Sequence, residues 1–148
     1  MTGAVFIDTN VTLYCIDHRN PAKRERACRW LEQLGAGGTG RLSWQVVHEF
    51  YWNAVRKLGV GAATAREMVG ELLLWGPVGA SDGLVRRAWQ WCDTAQLAYW
   101  DALIVAAAER SGARYLLTED LQSGREFEGV LVVDPFGEAG SALLDTLS

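Results

Sequence analysis

Seven consecutive apolar residues, Ala102 to Ala108, constrain this chain more than any other feature of it. At helical spacing the run is apolar all the way round. A helix built from it must be covered on every side, as happens when a helix lies against a sheet. Gly112 closes that helix. Candidate strands are present to meet it: Val5-Phe6-Ile7, Tyr115-Leu116-Leu117 and Val130-Leu131-Val132-Val133 are short, apolar and bounded by turn residues, with Pro135 stopping the last. Arg41-Leu42 reads as one more short strand.

Helical patterns fill the intervals. Pro21 can open a helix that runs to Leu34, after which Gly35-Ala36-Gly37-Gly38-Thr39-Gly40 reads as a loop. That loop follows a helix rather than a strand and lacks Lys after its last glycine, so it is not read as a phosphate-binding loop. Ser43 is placed to cap a helix from Trp44 to about Leu58, with Trp44, Val47, Tyr51, Ala54, Val55 and Leu58 on one face. Further helices are expected over about Ala62–Trp75 and from Ser81 or Asp82 to about Thr94. Short strands alternating with helices imply an α/β sandwich with a mostly parallel sheet. One domain over residues 1–136 is expected, then a tail over 137–148 with some helix around Leu143-Leu144. In such folds ligands collect beyond the carboxyl ends of the strands.

No stretch approaches the ~20 apolar residues of a membrane helix, and the first residues lack the pattern of a signal peptide. Three cysteines, Cys15, Cys28 and Cys92, are widely spaced and odd in number, which argues against a disulfide framework and for a reducing cytoplasm. The net charge of -4 comes from 18 acidic and 14 basic residues, and at first sight disfavours a polyanionic partner. Four of those carboxylates form a candidate site. Without them 14 acidic residues face 14 basic ones, so an acidic pocket in a neutral body is compatible with a polyanion bound through divalent cations.

Those four are Asp8, Glu49, Asp101 and Asp120. Asp8 follows the first strand, and Glu119-Asp120 follow the strand ending in Leu117-Thr118, so both lie where a site should form. Asp101 opens the most apolar helix, and Glu49 sits mid-helix. Each has a plainer alternative. Asp8 and Asp101 could cap helices, Glu49 could be a solvated helix residue, and Glu119-Asp120 could be turn residues. Periodicity does not bring the four together. A carboxylate beside a buried helix nevertheless needs compensation by hydrogen bonds, a cation or protonation.

Phe6-Ile7-Asp8-Thr9-Asn10-Val11, Gln45-Val46-Val47-His48-Glu49-Phe50, Tyr99-Trp100-Asp101-Ala102-Leu103-Ile104 and Leu117-Thr118-Glu119-Asp120-Leu121 together resemble the four acidic motifs of PIN domains, in the right order and across residues 4 to 136. The likeness is greatest to VapC-type toxins of bacterial toxin–antitoxin pairs. It implies a three-layer α/β/α sandwich with a mostly parallel central sheet. It also implies an Mg²⁺- or Mn²⁺-dependent endoribonuclease, usually a homodimer restrained by a small antitoxin, that leaves 5′-phosphate and 3′-hydroxyl ends. Asp8, Glu49, Asp101 and Asp120 match the acidic quartet, and Asn10 and Thr118 match the polar residues that support it. One position departs from the pattern. Many relatives carry Ser or Thr shortly before the third acidic residue, whereas here the side chain of Ala98 can neither cap the helix nor hydrogen-bond a carboxylate. Glu119, beside Asp120, leaves two candidates for the fourth ligand.

Hard oxygen ligands suit Mg²⁺ or Mn²⁺, and no His/Cys cluster competes for a softer metal; His18 and His48 read as surface residues. Such a cation would activate water and orient the scissile phosphate. Lys23, Arg24, Arg26 and Arg29, then Arg56 and Lys57, then Arg86 and Arg87 form basic groups that could meet phosphates or simply be solvated. Trp52, off the Trp44 face and near Glu49, is a candidate for base stacking or antitoxin contact. Two alternatives stand beside the nuclease. One is a catalytically silent PIN-like binding module. The other is a metal-dependent phosphohydrolase on a related α/β fold, although Asp8-Thr9-Asn10 lacks the second Asp of a DxD pattern.

Overall fold

In the computed structural model residues 3–147 are described; Met1 and Thr2 of the expected domain and Ser148 of the expected tail lie outside the described residues. Five strands form one sheet in the order β2-β1-β3-β5-β4: β1 (Val5–Ile7), β2 (Gly40–Arg41), β3 (Tyr115–Leu117), β4 (Glu126–Phe127) and β5 (Val130–Val133). All neighbours are parallel except β4, an antiparallel edge on β5 whose two residues are too few to show a strand pattern in the sequence. Among the described residues the helices are α1 (Thr9–Tyr14), α2 (Pro21–Gly37), α3 (Trp44–Arg56), α4 (Ala62–Leu73), α5 (Asp82–Ala95), α6 (Tyr99–Arg110) and α7 (Glu138–Asp145).

Val5, Phe6 and Ile7 are all fully buried. Successive strand residues point to opposite faces, so β1 is covered on both sides, as a mostly parallel α/β sheet requires. The apolar run of α6 is buried as expected, including Ala102 and every residue from Ile104 to Ala108. Trp30 of α2 is enclosed, and its indole nitrogen donates to the Pro135 carbonyl at 3.0 Å. Residues 138–145 form a packed helix, with Leu143 and Leu144 buried and Gly140 set against the carbonyls of Asp134 and Pro135 where a Cβ has no room.

Four local expectations are corrected by tertiary contacts. Helix α2 does not stop at Leu34 but continues to Gly37, because Gly35 lies beside the Trp75 indole and only Gly38, at φ +66°, turns the chain out of the helix. Ser43 stands at the start of α3 without capping it. Its hydroxyl is buried with no partner, and the Trp44 amide donates to the Val78 carbonyl instead. The buried face of α3 is Val46, Val47, Phe50 and Ala54, which turns Trp44 outward. Cys15 and Cys28 form a disulfide, against the expectation of none. Packing of α1 on α2 brings Cα atoms 13 residues apart in sequence to 4.8 Å, which spacing along the chain could not indicate. Among the described residues no helix is long and apolar enough to cross a membrane.

Candidate active site

From β1 the chain passes to β2 on one side of the sheet and later returns to β3 on the other. Such a reversal opens a crevice beyond the strand carboxyl ends. The register pairs Ile7 with Leu117, so the next residues, Asp8 and Thr118, emerge side by side. The Thr118 hydroxyl donates to Asp8 Oδ2 at 2.8 Å, and the Thr9 amide donates to Asp8 Oδ1 at 2.7 Å. Asp8 therefore does cap α1, with one oxygen, while its other oxygen is held by Thr118 just past the end of β3. Only 6% of Asp8 is exposed.

Thr118 Oγ1 also accepts from the Asp120 amide at 3.0 Å and from Asn10 Nδ2 at 3.2 Å, and the same Asn10 nitrogen donates to Asp120 Oδ2 at 3.2 Å. The two residues expected to support the quartet thus bind two of its members. Helix α3 brings Glu49, whose Oε1 accepts from the Thr9 hydroxyl at 2.7 Å. Helix α6 brings Asp101, which is not its cap. Ala98 holds the cap position with no side-chain bond, and Asp101 lies within the first turn. Gln45 of α3 donates to the Trp100 carbonyl at 3.3 Å and ties the two helices together. Asp8, Asn10, Glu49, Asp101 and Asp120 line one cavity of about 240 Å³, and Lys57 lines it too.

Charge is concentrated there. Burial pushes the Asp8 carboxyl up to about 7 despite the bonds from Thr118 and Thr9, with Asp120 and Glu49 adding repulsion. Asp101 is raised as well, first by burial and then by Asp120 and Glu49. Glu119 is not part of this group, because its carboxylate pairs with Lys23. Other basic residues are also engaged elsewhere: Arg87 with Glu109, Arg29 with Asp145, and Arg26 with the Pro135 carbonyl.

The donor set fits a hard divalent cation in its chemistry. All donors are oxygens, the carboxylates raise one another's proton affinity, and Asn10 Oδ1 is buried without a partner. As the side chains lie, no three His, Cys, Asp or Glu among the described residues are grouped to hold one ion. Glu49 is turned to Thr9 and Asp120 to Asn10, so ligation requires those two bonds to yield. Sequence reasoning missed Thr9, Gln45 and Asn53, and named Lys57 only as one of several basic residues. Gln45, Asn53 and Lys57 share a helical stripe with Glu49 at four-residue spacing, a polar line that was visible beside the apolar one.

The chain matches the PIN domain family over residues 5–125. No curated protein matches it in sequence. Among solved structures it is similar to a chain of a toxin–antitoxin complex from Klebsiella pneumoniae, at a TM-score of 0.61 and 19% identity, covering 87% of this chain and 96% of that one. An identity that low speaks for the fold alone.

Proposed function

Because the chain belongs to the PIN-domain family, whose members are in general nucleases using divalent metals, we propose that it is an Mg²⁺- or Mn²⁺-dependent endoribonuclease. We further propose that it is a VapC-type toxin, cytoplasmic and homodimeric, held in check by a small antitoxin. The observation that carries the reading is the convergence of Asp8, Glu49, Asp101 and Asp120 on one cavity, with Asp8 and Asp101 raised first by burial and further by their acidic neighbours. Four carboxylates without a matching set of cations repel one another, and a divalent ion relieves that repulsion. The toxin–antitoxin source of the structurally similar chain supports the partner.

Asp8, Glu49, Asp101 and Asp120 would hold the ion. When bound, it supplies Lewis acidity and charge neutralisation toward a phosphodiester. Thr118 fixes the Asp8 and Asp120 positions through its single hydroxyl, and Asn10 orients the Asp120 carboxylate. Lys57 faces the same cavity and offers a cation to a neighbouring phosphate.

A catalytically silent PIN-type module is favoured by one observation, the absence among the described residues of a pre-grouped set of three ligands. The two readings separate on purified chain and RNA. Cleavage is expected with Mg²⁺ or Mn²⁺, none with excess EDTA, and none from Asp101→Asn. Undiminished cleavage in EDTA rules out the mechanism, and folded protein inert with either metal on varied RNAs favours the silent module.

A further inference from the structure

Helix α3 carries two adjacent lines of side chains at four-residue spacing. Gln45, Glu49 and Lys57 line the carboxylate cavity. One residue back round the helix run Trp44, His48, Trp52 and Arg56, all exposed. Trp52 is 60% exposed and Trp44 is 42% exposed, which is unusual for so large an apolar side chain. The Arg56 guanidinium lies 4.9 Å from the centre of the Trp52 ring. Gln45 donates to the carbonyl of Trp100, which is 65% exposed, itself lines the cavity and immediately precedes Asp101.

We propose that Trp52 with Arg56, and Trp100 beside Asp101, form a base-stacking platform that holds the bases flanking the scissile bond. The proposal rests on the nuclease reading for the identity of the polymer. The occupant follows from the chemistry of the patch. A platform meant only for an apolar protein face does not need a guanidinium stacked on its central ring. A nucleotide presents both a π face for the indole and a phosphate for the cation. Arg56 and Lys57 have no carboxylate partner in an ion pair among the described residues, so their charge is available to phosphate. The position of Trp100 places a stacked base next to the carboxylates. Bases locked in a duplex cannot offer their faces to such a platform, so a duplex serves as the control for stacking.

The test is binding of fluorescein-labelled oligonucleotides in EDTA, where no cleavage is needed. A 12-nucleotide oligoadenylate is compared with an abasic strand of equal phosphate count and with a duplex. Trp52→Ala is expected to weaken oligoadenylate binding about tenfold, since stacking contributes on that order per base. Trp52→Phe is expected to restore most of it, and abasic and duplex binding should not respond. In Mg²⁺ the Trp52→Ala loss should appear in KM rather than kcat. Equal oligoadenylate affinity for wild type and Trp52→Ala overturns the proposal. So does a halved solution mass of Trp52→Ala with unchanged oligonucleotide affinity, which would assign the stripe to a second copy of the chain. Cleavage without Trp52 dependence rejects the platform and keeps the nuclease. Trp52-dependent binding without cleavage under any metal keeps the platform and rejects the nuclease.

Discussion

Asp8 carries two duties with two oxygens. One oxygen closes the start of α1 and the other is held by Thr118. Its carboxyl is nevertheless pushed up to about 7, because burial outweighs both bonds. Since the folded pKa lies above the unfolded value of 3.8, the folded chain binds the extra proton. The stabilising contribution is fully present below about pH 4 and is lost as pH rises through 7. At ~1.36 kcal/mol per unit this amounts to about 4 kcal/mol. Asp8→Asn, which keeps shape without ionising, is therefore expected to flatten the pH dependence and to be at least as stable as wild type at pH 7.5 in metal-free buffer, while losing metal binding and turnover. Urea unfolding at pH 5 and 7.5 in EDTA checks the sign, and a marked loss of stability at pH 7.5 would contradict it. Immediately after Thr118 the chain sends two adjacent acidic residues in different directions. Glu119 goes to Lys23 and Asp120 to Asn10. Asp120→Asn is expected to lower kcat by at least tenfold, whereas Glu119→Gln should leave turnover within about twofold and cost less than ~1 kcal/mol of stability. Kinetics on one RNA substrate rank the pair; the reverse order moves the site to Glu119.

At the scale of elements, α1 is only six residues long, yet its first turn carries Asn10 and its cap is Asp8. So short a helix has little stability of its own. Both ends are fastened: the start to β3 by Thr118, and the end to α2 by the Cys15–Cys28 disulfide. Both cysteines line a cavity of about 620 Å³, so a small reductant can reach them. Closing a loop of this length stabilises a fold by about 3 kcal/mol. The oxidised chain is expected to lose roughly that amount on adding dithiothreitol, and Cys15→Ser should be less stable from the outset and insensitive to reductant. Equal unfolding midpoints with and without reductant, with thiol titration showing one free cysteine before and three after, would show that α1 does not depend on the tether. Helix α3 makes the complementary contribution. Its buried side docks the helix, its polar line reaches the cavity, and its aromatic line remains in solvent.

For the whole molecule, the carboxylate cavity accounts for the acidic balance, and the lone cation lining it is Lys57 among the residues described. An antitoxin that silences the proposed nuclease has a simple route: an arginine placed among Asp8, Asp101 and Asp120, whose planar guanidinium matches carboxylate geometry and competes with the metal. Expression of the chain alone is expected to arrest growth, and co-expression of a cognate small antitoxin to restore it. Asp101→Asn is expected to be harmless. Growth curves decide the matter: arrest that persists with an Asp101→Asn protein shown to lack nuclease activity rejects the toxin role.

The amino-acid sequence by itself determined the class of fold, because β1, β3 and β5 are contiguous apolar runs and the Ala102–Ala108 stretch of α6 has no polar face, patterns that local physics favours in a covered sheet with helices. It also marked Asp8 and Asp120 as lying just beyond strand ends, since strand and turn are adjacent in the chain. Only the tertiary structure decided what lies across the chain from what. The β1–β3 register set Asp8 against Thr118, and the packing of α1 on α2 joined Cys15 to Cys28. The rotation of α3 buried Phe50 and left Trp44 and Trp52 outside. Each of these is a contact between residues far apart in sequence, or a choice between faces of nearly equal apolarity. Its energy comes from partners that no local window contains.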